Sequence, residues 1–323
     1  METKLNETYI NLGGYVEVNK YRYLYFMIMF TAYVLTLCSN CTIVCLIVIH
    51  KNLHEPMYVF IAALLINSVL SSTLIYPKLL LDFLSETQVI SYSACLFQWS
   101  GYYCLAGSEF LLLSAMAYDR YVSICKPLQY PVIMRKTKVN IILVLAWFVP
   151  FCHSVVPPII LVNQKLCNFT LKGILCNSTI HNLHCVTTVA ITIYGLFMFA
   201  DLGILPLLFI LFTYIKILVI VYRSCREVRR KAAQTCLPHL IVLINFFCLL
   251  AFDILLLRLE TDFPTIVRFL ITLQMILYNP LFNPIIYGLK MKEINKHLLR
   301  LFKMYKSINQ NSGVYIKHLL QTD

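Results

Sequence analysis

Glu109 is an acid where an acid is expensive. It stands in the middle of an apolar run, eleven residues before Arg120, or about three helical turns if the run is helical. A carboxyl group inside a membrane marks a functional position by default. Asn40, Ser68 and Asn283 each lie within other apolar runs, and their oxygens could converge on Glu109 to hold a sodium ion or a proton. The competing reading is a protonated, hydrogen-bonded glutamic acid with a structural role.

Two further sets have the types and spacing for a moving part. Asp119-Arg120-Tyr121 closes one apolar run. An Arg beside an Asp at a membrane edge can pair locally when idle and meet a partner once released, or it can be an ordinary snorkelling end-cap pair. Asn283-Pro284-Ile285-Ile286-Tyr287 places a proline joint and a tyrosine near the end of the last run, and Pro206 and Pro280 also lie inside runs. Such kinks are tolerated in lipid where neighbours satisfy the freed carbonyls. They act as hinges or as static bends.

Ten of the 13 cysteines fall into two groups. Cys38, Cys41, Cys45, Cys104, Cys152 and Cys248 fall inside apolar runs and read as small packing residues. Cys95, Cys167, Cys176 and Cys185 lie at or between run ends. On an oxidising face they can form disulfides in three pairings, or stay free thiols. One bond from Cys95 would draw the long loop over the bundle mouth. His181, His184 and Cys185 also suggest a metal site, which a disulfide at Cys185 would remove.

At helical spacing from Cys95, the residues Trp99, Tyr102, Tyr103 and Ala106 share a face, and Gly107 leaves room beside them. Phe199 and Leu202 from the fifth run, with Phe247, Ala251 and Leu255 from the sixth, could complete a cavity; plain helix packing is the alternative for each. Arg258, near the end of the sixth run, could clamp a carboxylate as a bidentate donor or simply snorkel to water.

These residues need elements to hold them, and composition says which. The chain is 59% hydrophobic and 13% charged, with a mean hydropathy of +0.74. Soluble domains carry about 25% charged residues, so this chain lacks the polar surface for a water-exposed globule. A bilayer-crossing helix needs about 20 apolar residues. Seven blocks qualify, at 23–49, 57–84, 92–124, 139–161, 189–222, 233–257 and 265–289. The third is interrupted by polar residues. The expected architecture is an all-α, seven-helix membrane bundle over 23–289, with an outer segment 1–22 and an inner tail 290–323.

The net charge of +12 is spread between apolar blocks. That is topology control rather than nucleic-acid binding. Lys51, Lys126, Arg135, Lys136, Lys138, Arg223, Arg226, Arg229, Arg230 and Lys231 fall on one set of loops with the tail, while Glu2, Glu7, Glu17, Glu86, Glu260 and Asp262 fall on the other. This predicts a cytoplasmic C-terminus and an extracellular N-terminus at the plasma membrane. The sequons at Asn6, Asn168 and Asn177 all lie on the predicted outer side. A fourth, at Asn40, is inside a span and out of reach. No cleavable leader precedes the first block, which is expected to act as its own insertion signal. Residues 291–304 alternate Lys292, Lys296, Arg300 and Lys303 with Ile294, Leu298, Leu299 and Phe302, the pattern of a helix lying on the inner face and drawn to anionic lipid.

Met116-Ala117-Tyr118-Asp119-Arg120-Tyr121-Val122-Ser123-Ile124-Cys125-Lys126-Pro127-Leu128-Gln129-Tyr130 resembles the third-span signature of vertebrate odorant receptors, within the rhodopsin-like G-protein-coupled receptors. His54-Glu55-Pro56-Met57-Tyr58 resembles the family's entry to the second span. Lys231 to Leu240, with Pro238 and His239, resembles the entry to the sixth. Thr213-Tyr214 stands where Ser-Tyr is usual, and Asn283 to Gly288 is similar to the seventh. Pro238 and Phe252-Asp253 resemble fish-type members. The likeness covers all seven spans in order.

It implies a Cys95–Cys176 and a Cys167–Cys185 disulfide. It implies a small odorant bound in the outer half, and a heterotrimeric G protein of the stimulatory olfactory type met by Arg120 and the basic third loop. Tyr214, His239, Asn283, Pro284 and Tyr287 become switch positions, and no enzymatic role is implied. Tyr102 stands where amine receptors usually place an Asp, which argues against an amine held by that acid. Two departures matter. Asn67-Ser68 replaces the usual acid of the second span, so the ion site is re-centred on Glu109. Phe246-Phe247-Cys248 replaces Phe-Tyr-Gly, which removes a hydroxyl at Phe247.

Other classes fit less well. A transporter or channel would need a ladder of charges, and only Glu109, Asp201 and Asp253 lie near mid- or outer-span. A rhodopsin-like receptor for a peptide or lipid would not need the third-span match.

Overall fold

A computed structural model describes residues 8–185, 189–222, 240, 243–244, 247–248, 250–251, 264–301 and 303. Within a bilayer every backbone N–H and C=O must be satisfied inside the segment, which leaves helices as the solution for runs this apolar. Five helices are long and apolar enough to span: Val18–Ile49, Pro56–Leu84, Lys136–Leu161, Val189–Tyr222 and Thr265–Leu289. They are spans one, two, four, five and seven. Span three, Tyr92–Cys125, is long enough but more polar, as the sequence indicated. Most of the sixth block, with Leu255, Arg258 and His239, lies outside the described residues.

Among the described spans, boundaries agree with the apolar blocks to about one residue except at the starts of spans one and four, the latter beginning at Lys136. Span one begins at Val18, after Glu17 takes a left-handed conformation (φ 45). The polar Asn19, Lys20 and Arg22 form turns projecting beyond the hydrocarbon, which hydropathy does not register. At ~1.5 Å per residue the 32-residue helix outruns a ~30 Å core.

The bundle is apolar on its outside, and a minority of polar side chains is buried within its apolar core. Leu24, Ile28, Leu35, Phe148, Phe151, Leu208, Phe212 and Ile215 are exposed, while Thr36, Asn40, Asn67, Ser68, Ser72, Ser108, Glu109 and Asn283 are buried. Lipid takes the first set; of the second, Asn40, Asn67, Ser68, Glu109 and Asn283 bond between helices, while Ser108 bonds its own helix and the Thr36 and Ser72 hydroxyls have no partner. Span three is central, packing on spans two, four and five, while span seven packs on spans one and two.

Proline shapes the helices, and three of the freed carbonyls have a side-chain partner. A proline at i removes the N–H that would bind the carbonyl at i−4. Pro284 frees the Pro280 carbonyl, and Asn40 Nδ2 of span one donates to it at 2.8 Å. Pro158 frees Ser154, whose carbonyl accepts from Ser100 Oγ at 2.9 Å. Pro157 frees His153, whose carbonyl accepts from the Tyr194 hydroxyl at 3.2 Å. Just before Pro206, span five widens into a π-helical turn, Ala200–Ile204.

The outer end carries a cap that the sequence did not suggest. Three short strands, β1 (Tyr9–Leu12), β2 (Val89–Ser91) and β3 (Thr170–Leu171), form a sheet in the order β2-β1-β3. β1 runs antiparallel to β2 and parallel to β3. Its residues alternate exposed and buried, so Ile10 and Leu12 point in. Gly14 then passes the backbone of Gly173 so closely that a Cβ would sit 2.5 Å from the Gly173 carbonyl carbon. Beneath the sheet, Ile10, Leu12, Ile90, Trp99, Leu171, Ile180 and Leu183 form a second core.

Candidate functional site

The functional residues fall at three depths along span three. At the top, Cys95 is bonded to Cys176 and Cys167 to Cys185. The first bond ties the long loop to span three. The second closes a small loop, so Cys185 has no thiolate to offer a metal. His184 bonds the Tyr92 hydroxyl at 2.9 Å, and that hydroxyl donates to the Leu161 carbonyl. Burial holds the His184 imidazole below its ordinary value. His181 packs edge-on against Trp99. Trp99 thus packs within the cap core.

Asn168 is exposed, whereas Asn177 is 8% exposed and its Oδ1 accepts from both the N–H and the hydroxyl of Thr179. The sequon at Asn177 is folded into a turn that caps the short helix Ser178–Leu183. Asn6 lies outside the described residues. Tyr15 reaches from the N-terminal segment to Asp82, its hydroxyl donating at 3.0 Å, and Asp82 pairs with Lys78. Burial first, and then the Asp82 carboxylate, push the Tyr15 phenol well up, so it stays a donor.

At mid-depth, Tyr102 and Tyr103 pack edge to face, and the Tyr102 hydroxyl donates to Met275 Sδ at 3.1 Å. Phe247 of the sixth block stacks on Phe199 and meets Phe110 edge-on, linking it to spans five and three. Leu202 is buried and Ala251 half-buried. Gly107 does not leave open room. A Cβ there would meet Pro150 and Leu202 at 3.1 Å, so the glycine permits close packing of spans three, four and five.

Below Tyr102 and Ala106 lies a cavity of about 30 Å³, also lined by Ser68, Ser72, Glu109, Met275 and Pro280. That is room for a water or two or one small ion, not for an organic ligand. Glu109 is 6% exposed. Asn283 Nδ2 donates to Glu109 Oε1 at 3.1 Å and reaches Ser68 Oγ at 3.4 Å. The Ser72 hydroxyl is buried without a hydrogen-bond partner. Carboxylate, two hydroxyls and this volume fit a sodium ion. Asn40 does not line this cavity; its Nδ2 donates to the carbonyl that Pro284 frees, and its Oδ1 is buried without a partner. Asn67 turns the other way, accepting from Trp147 Nε1 and donating to the Leu105 carbonyl.

At the inner end the expected Asp119–Arg120 pair is not formed. Adjacent helix residues point about 100° apart. Asp119 instead accepts from the Tyr130 hydroxyl at 2.9 Å. Burial foremost, and then Asp119, push that phenol above its ordinary value. Arg120 extends to Met291 Sδ at 3.5 Å, a weak acceptor, and its Nε is buried without a partner. Tyr121 packs against the core, and Tyr214 and Tyr287 are buried. Among the described residues no group of three metal ligands occurs.

Comparison with known proteins gives one answer. The olfactory receptor family model matches residues 28–305. Human olfactory receptor 4E1 is 32% identical over 298 residues, covering 91% of this chain and 93% of its own. Human olfactory receptor 52K1 is 33% identical over 276 residues, covering 84% and 88%. Mouse olfactory receptor 4B13 is 31% identical over 306 residues, covering 93% and 98%. With its apolar helices the chain is a multi-pass membrane protein of receptor type rather than an enzyme. It belongs to the olfactory receptor family, the seven-helix group to which its third-span motif pointed.

Proposed function

We propose that this chain detects a small organic odorant in the outer half of its bundle and passes the signal to a heterotrimeric G protein of the stimulatory olfactory type, raising cyclic AMP. The observation that carries the reading is the continuity of span three. One rigid helix joins the cap at Cys95, the cavity wall at Tyr102 and Ala106, the buried Glu109, and Arg120. A ligand that binds one arrangement of spans five, six and seven around this helix shifts the population of the inner-face arrangement.

Tyr102, Tyr103, Ala106, Phe199, Leu202, Phe247 and Ala251 form the ligand wall, with Leu255 and Arg258 added from sequence. Residues 1–22 lie outside the plasma membrane, 23–289 form the bundle and 290–323 lie in the cytoplasm, as the loop charges require. Asn168 is the sequon best exposed for a glycan. A sodium ion held by Glu109, Ser68 and Ser72 would favour the resting arrangement by bridging spans two and three.

The test is a cyclic AMP assay in cells expressing an olfactory-type Gα, screened across small odorants. Wild type should respond to at least one, and Arg120→Ala should lose that response at equal surface labelling. An odorant-evoked current without G protein would overturn the reading. For Arg258, loss of responses to carboxylic acids alone in Arg258→Ala supports the clamp, and unchanged responses remove it.

A further inference from the structure

Beyond span seven the chain turns at Met291 (φ −84, ψ 106) and is helical again over 292–301. One face of this helix is fixed against the bundle. Ile294 is fully buried, and Leu298 sits over Gly288, where a Cβ would lie 3.2 Å from its Cδ1. His297 is 6% exposed; its ring packs on His50 and its Nε2 meets the Asn52 amide at 3.3 Å.

Fixing that face determines what the other presents. Lys292, Lys296, Arg300 and Lys303 surround a concavity of about 430 Å³ with Leu289, Leu299 and Asn295. Only Lys296 has an acidic neighbour among the described residues, Glu293 at 3.9 Å. Four cations around one hollow repel each other unless an anion sits between them. The hollow also has an apolar side, since Leu289 and Leu299 are largely exposed at the end of a membrane span.

We infer that this hollow binds the headgroup of an inositol phospholipid carrying two or more phosphates, its phosphates on Lys292, Lys296, Arg300 and Lys303 and its glycerol end against Leu289 and Leu299. The volume lies within the ~300–1,000 Å³ range of small-molecule sites. A single-phosphate lipid would engage only part of the cation ring, and a soluble inositol phosphate would leave both leucines in water. Basic hollows at the cytoplasmic ends of spans suit such headgroups. The inference rests on the inner placement of the tail proposed above.

The experiment uses the full-length receptor in detergent micelles, where binding does not depend on orientation. A fluorescent bisphosphorylated inositol lipid is titrated against phosphatidylserine at matched charge and against soluble inositol trisphosphate. Wild type should prefer the inositol lipid by about ten-fold or more, and a Lys292→Gln, Lys296→Gln, Arg300→Gln, Lys303→Gln variant should lose that preference. Leu289→Ser should weaken the lipid and leave the soluble headgroup unchanged, which separates a lipid site from a phosphate site. Equal binding of both lipids, or an unchanged quadruple variant that still elutes as a folded monodisperse receptor, overturns the site. A separate antibody test of a C-terminal epitope on intact cells reports topology. Labelling without permeabilisation would sink the placement of the tail while leaving the binding result standing.

Discussion

The two ends of the bundle are fastened by different chemistry. The outer end holds two disulfides, a three-stranded sheet, a glycine–glycine backbone contact and a buried aromatic core. The inner end holds Arg120 on a thioether and a helix seated on two tilted imidazoles, His50 and His297. Covalent bonds and paired strands resist exchange. A weak donor–thioether contact is one that a better acceptor can replace. The outer end is fastened covalently, and the rearrangement proposed for signalling falls at the inner end.

The comparison breaks most visibly at the disulfide. Cys95→Ser with Cys176→Ser should cost about 2–5 kcal/mol and largely abolish surface labelling of an N-terminal epitope; wild-type labelling would mean the sheet alone holds the cap. Next comes the Pro284 patch. Asn40→Leu leaves the Pro280 carbonyl buried and unpaired, a cost of about 1–3 kcal/mol, to be read as a lower melting temperature of purified receptor. If melting is unchanged, the kink has another partner.

A smaller effect is expected at Met291→Leu, which keeps the volume but removes the sulfur from Arg120. Basal cyclic AMP should rise by about two-fold, because the contact is worth only tenths of a kcal/mol, with surface labelling unchanged. A fall in basal signal would mean the contact serves the active arrangement.

The smallest effect concerns acid. His184 has its proton affinity lowered by burial from an ordinary value of 6.5. Its contribution is therefore intact above that value and is lost as the pH falls below it, because the unfolded chain takes up the proton first. The cap should lose a little thermal stability between about pH 7 and about pH 5, and His184→Gln should flatten the slope. An equal slope in the variant would assign it to other groups.

Much of this was legible in the residues. Apolar runs and loop charge gave the spans, and Asp119-Arg120-Tyr121 within its longer motif gave the family. Glu109 was found by the cost of burying it, and Asn283 by sharing its depth. Asn40 shares that depth too, yet it serves a proline. Spacing shows where a side chain stands along the membrane, but not which orphaned carbonyl claims it. The i−4 rule applied to Pro284 would have named Pro280 as the claimant. The sheet escaped because four residues of alternation, Tyr9 to Leu12, are too few to signal a strand. Gly107 was misread because a missing side chain in sequence looks like space, whereas in the bundle Pro150 and Leu202 fill it.

The widened turn at Ala200–Ile204 has a consequence for the phase of span five. A π-helical turn takes up about one residue more than an α-turn, so everything inward of it is rotated by about 100° relative to an unbroken helix. Phe199 above the turn and Tyr214 below it both face the bundle interior on two different helical wheels. A single wheel drawn from Val189 to Tyr222 would mis-assign one half of the span. Straightening the turn into α-helix would swing the Thr213-Tyr214 face away from span seven, turning a local change of winding beside the ligand wall into a change of facing at the G-protein end.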